Sequence, residues 1–164
     1  MRALLTFPNP VNEKAARVVA GLVVVTTLVA IVTQASWVLW LIAAGFALRV
    51  AAGPRFSPYG QLATRIIAPR LGAAKLVPGP PKRFAQTIGL VVSLAAAIAV
   101  TVGATTLGWV LAGVLVVAAT LESVFAVCLG CIIFGGLQRA GVIPASVCQA
   151  CNDIWARQPT HDLV

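Results

Sequence analysis

Residues 107–134 read LGWVLAGVLVVAATLESVFAVCLGCIIF, an almost unbroken apolar run that ends in two closely spaced cysteines. Glu122 is its one charged residue. A helix needs about 20 apolar residues to cross the hydrocarbon core of a bilayer, so this run is long enough to span a membrane. The stretch therefore predicts a transmembrane helix and places the Cys128-x-x-Cys131 pair where that helix leaves the hydrocarbon.

The whole chain has the same apolar character. Hydrophobic residues make up 60% of its 164 residues, charged residues make up 10%, and the mean hydropathy is +0.97. A soluble domain carries about 25% charged residues, so this composition excludes an ordinary soluble globular protein. The net charge of +8 comes from basic residues that flank the apolar runs, a pattern typical of membrane topology rather than of nucleic-acid binding.

Two long apolar tracts are each interrupted by a weak polar break, which predicts two helical hairpins. The spans are expected at roughly 17–33, 36–52, 84–103 and 107–133. The chain then divides into an N-terminal segment 1–16, a first hairpin 17–52, a basic loop 53–83, a second hairpin 84–134 and a tail 135–164. The predicted fold class is all-α, an integral membrane bundle of four transmembrane helices.

Basic residues also predict the orientation. They precede the first span, fill the central loop and follow the fourth span, while the tight turns inside the two hairpins carry none. By the positive-inside rule, both termini and the central loop are cytoplasmic. The tryptophans then form an aromatic belt at the outer interface: Trp37, Trp40 and Trp109. The cations expected at the anionic headgroups of the inner interface are Arg55, Arg65, Arg70, Lys82 and Arg83.

The central loop contains a short amphipathic pattern. Leu62, Ile66 and Ile67 recur at helical spacing beside Arg65 and Arg70. This pattern predicts a short helix that lies on the inner leaflet, with its arginines on the headgroups. The alternative is a basic loop that sets the orientation and does nothing else.

The four cysteines are the residues with the greatest chemical capacity. They form two C-x-x-C pairs, Cys128 with Cys131 and Cys148 with Cys151. A cytoplasmic location is reducing, so such pairs indicate redox or metal chemistry more often than structural disulfides. In a redox or persulfide cycle, the second thiol of a pair can resolve a mixed disulfide formed on the first.

Two alternatives to thiol chemistry stay open. All four thiolates could bind one zinc ion, because the sixteen residues between the pairs fall within the spacing of zinc-ribbon sites. An iron–sulfur cluster is a less favoured form of the same hypothesis. Alternatively, Cys128 and Cys131 could be small apolar packing residues in a structural protein.

Glu122 is the second candidate site residue. A carboxylate within a membrane span is costly and often marks a functional site. Glu122 could relay a proton for thiol chemistry at Cys128. It could also be a protonated group that hydrogen-bonds to another helix and has a structural role.

Four segments of the chain resemble those of a known family. They are PNPVNE at 8–13, GPRFSP at 53–58, PPKRFAQ at 80–86, and Glu122-x5-Cys128-Leu-Gly-Cys131. Together they look like a family of bacterial integral membrane proteins of unknown function, common in actinobacteria. The resemblance implies a four-helix fold in the bacterial cytoplasmic membrane with the C-L-G-C pair at the end of the last helix. It also implies thioredoxin-like or sulfurtransferase partners, because members appear beside such proteins. Cys148 and Cys151 lie outside the family's pattern.

The sequence therefore predicts a membrane-embedded thiol-redox or sulfur-handling component. Cys128 and Cys131 would form its working dithiol, with Glu122 beside them and Cys148 and Cys151 as a second, exchanging pair. A zinc-stabilised membrane adaptor and a structural subunit of a membrane complex are the alternatives, and whether the protein is an enzyme stays open. A bundle of four short helices would also be suited to oligomerisation or to assembly into a larger complex.

Overall fold

The computed structural model of the protein describes residues 8–148. The helices are α1 (Glu13–Thr33), α2 (Ser36–Ala52), the short α3 (Pro58–Gln61), α4 (Gly79–Thr101), α5 (Thr105–Phe125) and α6 (Leu129–Arg139). Two short strands of two residues each, β1 (Val11–Asn12) and β2 (Leu76–Val77), pair in antiparallel orientation. The all-α fold class is thus confirmed.

The long helices α1, α2, α4 and α5 form an antiparallel four-helix bundle. Helix α1 packs against α2 and α5, and α4 packs against the same two helices from the other side. The two hairpin turns, at 34–35 and 102–104, consequently lie at one end of the bundle. The connection from α2 to α4 and the carboxyl end of α5 lie at the other end, which we call the thiol end because Cys128 and Cys131 follow α5.

The bundle is closed by small side chains and presents large apolar ones outward. Buried positions at the centre include Ala30, Ala96 and Ala112, each 0% exposed. The most exposed large apolar side chains come from all four long helices, and they include Val25, Val32, Leu41, Val91 and Val117. Small residues allow close helix approach in lipid, and an apolar exterior of this kind is stable there rather than in water.

Four helical segments, Glu13–Thr33, Ser36–Leu71, Gly79–Thr101 and Thr105–Phe125, are long and apolar enough to cross a membrane. The protein is therefore a membrane protein.

The central loop is mostly helical. After α3 the chain continues as a π-helical segment, Leu62–Ile67, and a 3₁₀ segment, Ala68–Leu71. Ala63 and Ala68 are buried against Ala15 and Val19 of α1, so this segment is fixed to the bundle. The prediction of a short helix in the loop is confirmed, and its cations Arg55, Arg65 and Arg70 are all exposed.

Two helix boundaries differ from the predicted spans. Helix α1 begins at Glu13 because the Asn12 side chain caps it, accepting a hydrogen bond from the Lys14 amide at 3.0 Å. Helix α4 begins at Gly79, five residues before the predicted start of the span at 84, because prolines are tolerated in the first helical turn.

The fourth span was predicted to run to 133, and this prediction was wrong. Helix α5 ends at Phe125, and Ala126 adopts a left-handed conformation with φ 58°. A separate helix, α6, then starts at Leu129 and packs mainly on α4. The C-x-x-C pair therefore lies at the beginning of a new helix rather than at the end of the last span.

Candidate functional site

Helix α5 ends where Arg17 of α1 binds its last carbonyl groups. The Arg17 guanidinium donates hydrogen bonds to the backbone oxygens of Ser123 and Val124, both at 3.0 Å. A cation at a helix carboxyl end satisfies carbonyl groups that have no partner within the helix. The chain can then turn through Ala126 and leave the axis of α5, which sets the position of Cys128.

Helix α6 is held to α4 by close contacts. A Cβ atom at Gly130 would lie 2.5 Å from the Cα atom of Ala85, so only glycine fits at this position. The rings of Phe84 and Phe134 pack edge to face with their centroids 5.7 Å apart. These contacts fix the amino end of α6, and the thiol pair with it, against the bundle.

Cys128 and Cys131 form a close pair at the amino end of α6. Cys128 is the N-cap residue, with extended backbone, and Cys131 is the third residue of the helix. Their Sγ atoms are 2.6 Å apart, and both cysteines are free thiols. The amino end of a helix carries a partial positive charge, which favours a thiolate there.

The two thiols differ in acidity and in exposure. The hydrogen bond from the Cys131 thiol lowers the pKa of Cys128; burial and the Glu122 carboxylate act in the opposite direction, and the Lys82 ammonium lowers it further. The same hydrogen bond raises the pKa of Cys131, as does burial. Cys128 is buried, with 8% of its surface exposed, whereas Cys131 is half-buried. The inner thiol of the pair is therefore the more acidic one, and the more accessible thiol is the less acidic one.

An ion pair lies beside the thiols. Lys82 of α4 donates to Glu122 of α5, with Nζ and Oε1 2.7 Å apart. The two side chains are only 10% and 16% exposed. Lys82 had been predicted to lie at the headgroups with Arg83, and this was wrong for Lys82, because the carboxylate of Glu122 draws it into the bundle. Arg83 is exposed and donates to the Val50 carbonyl oxygen at 3.1 Å.

Glu122 also lies at a different depth from the predicted one. Because α5 ends at Phe125, Glu122 occupies the last turn of the span and not a position well inside it. It is an ion-pair partner of Lys82, and both groups contribute electrostatically to the acidity of the two cysteines. Glu122, Cys128 and Cys131, the predicted site residues of the first pair, are therefore brought together.

A cavity of about 200 Å³ adjoins the pair. Helices α1, α2, α4, α5 and α6 all contribute to its wall, which is almost entirely apolar. Its polar lining residues are Gln86, Glu122 and Cys128. The inner thiol therefore faces an apolar space inside the bundle.

A buried arginine lies behind this cavity, and sequence reasoning missed it as a site residue. Arg49 is 3% exposed and donates from Nε to the Gln86 oxygen at 2.9 Å and from Nη1 to the Ser57 hydroxyl at 3.1 Å. Its guanidinium lies over the Phe46 ring, 4.3 Å from the centroid. Its signal in the sequence is a single arginine within an apolar run, where it also counts among the charges that orient the spans.

The second cysteine pair is only partly described. Cys148 is buried, accepts a hydrogen bond on its backbone oxygen from the Gln138 side chain at 3.4 Å, and is disulfide-bonded. Cys151 lies outside the described residues. Within residues 8–148, no three His, Cys, Asp or Glu side chains are close enough together to hold a metal ion. Cys148 is thus not gathered with Cys128 and Cys131, and a four-cysteine zinc or iron–sulfur site stays a prediction.

The predicted tryptophan belt lies at the end of the bundle opposite the thiols. Trp37 and Trp40 are in the first turns of α2, 65% and 43% exposed, and Trp109 is in the first turns of α5. The Trp40 indole donates to the Thr101 hydroxyl at 3.2 Å, which ties α2 to the end of α4. The three tryptophans therefore share one end of the bundle.

Comparison with known families agrees with the resemblance seen in the sequence. A family model described as "Domain of unknown function (DUF4395)" matches residues 11–139. The matched segment includes both thiols of the first pair and the ion pair, and it ends before Cys148. Comparisons with curated proteins and with solved structures found no match.

Proposed function

Because the chain belongs to the DUF4395 family, whose description assigns no function, we propose a function from the geometry of the thiol site. The protein is a membrane-embedded thiol–disulfide exchange component, and Cys128 and Cys131 are its working pair. The observation that carries this proposal is the 2.6 Å approach of two free thiols at the amino end of α6.

The difference between the two sulfurs supports a defined order of exchange. In the oxidised protein, a thiolate of a partner dithiol attacks Sγ of Cys131, the more accessible sulfur, and the bond between Cys131 and Cys128 breaks. Cys128 leaves as a thiolate, and a thiol of lower pKa is the better leaving group. The second thiol of the partner then attacks the mixed disulfide and releases Cys131. Two electrons and two protons have moved from the partner to the pair, and the partner has become a disulfide.

The partner would be a soluble dithiol protein of thioredoxin-like chemistry. By the positive-inside rule, the thiol end of the bundle faces the cytoplasm of a bacterial cell, where such proteins are available. A sulfurtransferase partner is the corresponding hypothesis for sulfur handling, in which a persulfide on Cys131 would take the place of the mixed disulfide. The accessible position of Cys131 suits both partners.

A thiol-trapping experiment on membranes tests the proposal. Membranes, with and without prior treatment with a reductant, are quenched in acid and their free thiols are alkylated. Peptide mass spectrometry then determines whether each cysteine was a thiol or part of a disulfide. We expect Cys128 and Cys131 to be found in both the dithiol and the disulfide state. Reduced glutathione, added to the oxidised protein and quenched early, should appear as an adduct on Cys131.

The matched variants are Cys128→Ser and Cys131→Ser. With Cys128→Ser, oxidised glutathione should leave a lasting adduct on Cys131, because no second thiol in the pair can resolve it. With Cys131→Ser, the buried Cys128 should acquire the adduct more slowly. A pair whose two thiols stay reduced in membranes under every condition would show that the site does not cycle.

A further inference from the structure

The cavity beside Cys128 has the size and lining of a site for one small ring. Its volume is about 200 Å³. An apolar cavity of about 150 Å³ in a protein interior is large enough to hold benzene. The space next to the thiol therefore accepts a single substituted six-membered ring, whereas a fused three-ring cofactor would be too large for it.

The polar residues of the wall fit a ring with polar atoms at its edge. The Glu122 carboxylate forms an ion pair with the Lys82 ammonium, and the side-chain oxygen of Gln86 accepts a hydrogen bond from Arg49. The Gln86 amide nitrogen has no hydrogen-bond partner among the residues that the structure describes, so it is available to donate to a ligand oxygen. All other lining side chains are apolar, apart from the Cys128 thiol.

The cavity also borders the lipid-facing surface of the bundle. Three of its lining residues, Val114, Leu129 and Ile133, are at the same time 52%, 41% and 48% exposed on the exterior. A long apolar tail attached to the ring could leave the cavity past these side chains and enter the bilayer. The occupant therefore combines a polar-edged ring with a lipid tail.

We infer that the cavity binds the head group of a lipid-soluble benzoquinone, which accepts the electrons of the Cys128–Cys131 pair. This inference rests on the proposed function and names its second substrate. The dithiol loses two electrons and two protons and becomes a disulfide, and the quinone gains both and becomes the quinol. The pair can then be reduced again by the partner dithiol through Cys131. Cys128, on the cavity side, faces the quinone.

Lys82 and Glu122 have a defined part in this step. The proton of Cys131 and one proton from solvent must reach the two quinone oxygens when Cys128 reacts as a thiolate. The ion pair lies between α4 and α5 at the edge of the cavity, where it can pass a proton to the ring and hold charge there. In this proposal Glu122, which lines the cavity, passes the proton to the quinone, and Lys82, which contacts Glu122 rather than the ring, is a positioning residue.

The test uses the full-length protein in lipid nanodiscs, reduced and desalted without oxygen. The probe is ubiquinone-1, a benzoquinone with every ring position substituted, so that thiols cannot add to the ring. Loss of the quinone absorbance is followed together with the redox state of Cys128 and Cys131 by peptide mass spectrometry. We expect one quinol for each dithiol that becomes a disulfide.

Two neighbouring substitutions on α5 separate the cavity from the rest of the molecule. Ala118→Phe places a ring in the cavity, whereas Val117→Phe adds the same ring on the lipid-facing side, where Val117 is 60% exposed. Ala118→Phe should slow quinone reduction on the order of a hundredfold, the loss expected when reacting groups are displaced by an ångström or more. Val117→Phe should react like the unmodified protein. Exchange with glutathione at Cys131 should persist in both, and Ala118→Leu provides a milder variant if Ala118→Phe does not fold.

Each outcome has a distinct meaning. A protein that exchanges with glutathione but leaves ubiquinone-1 unreduced would overturn the quinone inference and keep the proposed function. Equal rates for Ala118→Phe and Val117→Phe would overturn the placement of the quinone in this cavity. A pair that reacts with neither glutathione nor quinone would remove the proposed function itself.

Discussion

The Lys82–Glu122 ion pair gives the sharpest test of how this bundle is stabilised. Its charged atoms are 2.7 Å apart, and its side chains are 10% and 16% exposed. Removing one partner of a buried ion pair leaves an uncompensated charge and costs about 3–5 kcal/mol, whereas replacing both by apolar residues is often neutral. We therefore expect Lys82→Met and Glu122→Leu each to destabilise the protein by about 3–5 kcal/mol. The double variant should recover most of that loss.

A second ion pair provides the control. Lys75 and Glu13 are also 2.7 Å apart, but the Lys75 side chain is 67% exposed. The Glu13 side chain is 12% exposed, but water screens the exposed Lys75 ammonium, so Lys75→Met should cost less than Lys82→Met. The two pairs thus have equal distances and different burial.

The assay is unfolding in mixed micelles with increasing SDS, followed by circular dichroism and analysed as a double-mutant cycle. A cost of about 3 kcal/mol corresponds to a more than hundredfold change in the ratio of unfolded to folded protein, which is readily measured. If Lys82→Met costs no more than Lys75→Met, the burial argument is wrong. Additive losses in the double variant would show that the two charges do not interact.

Three further predictions concern the thiols and the contact that holds them. Lys82→Met should raise the pKa of Cys128 and Glu122→Gln should lower it, because the ammonium favours the thiolate and the carboxylate opposes it. The pH dependence of iodoacetamide labelling measures both shifts. Two shifts of the same sign would contradict this explanation. Cys131→Ala should raise the same pKa, since it removes the hydrogen bond that contributes most to the acidity of Cys128, and unchanged labelling at low pH would disprove that role. Gly130→Val should cost about 1–3 kcal/mol by overpacking α6 against α4, whereas Gly135→Ala, with open space around it, should be tolerated in the same unfolding assay.

The sequence was sufficient for the bundle but not for the break after its last span. Lipid requires long apolar helices, so the hydropathy of the chain alone located the four spans and the turns between them. The break at Ala126 has no glycine or proline to announce it. Arg17, more than a hundred residues earlier in the chain, contributes to this helix end by donating to the Ser123 and Val124 carbonyl oxygens. A tertiary contact of this kind has no local sequence signal.

The burial of Lys82 could not be predicted from the sequence either, because it also depends on a contact between distant parts of the chain. Lys82 follows two prolines and precedes Arg83, so its neighbours in the chain resemble a membrane-interface segment. Its burial follows from Glu122, forty residues away on α5. In lipid, one buried carboxylate requires a cation, and the sequence offered several cations without indicating which would be used.

The break between α5 and α6 also determines where the two thiols lie. In a continuous helix, Cys128 and Cys131 would lie one turn apart, and their backbone N–H groups would all be bonded to the preceding turn. The break instead makes Cys128 the N-cap of α6 and Cys131 its third residue, so the positive end of the helix faces both sulfurs. It also turns Cys128 toward the cavity and leaves Cys131 half-buried at the surface. An arrangement that separates the two sulfurs in this way suits the proposed exchange with two different substrates, one soluble and one in the membrane. A pair with a packing role alone would require neither an N-cap position nor unequal acidity of its two sulfurs.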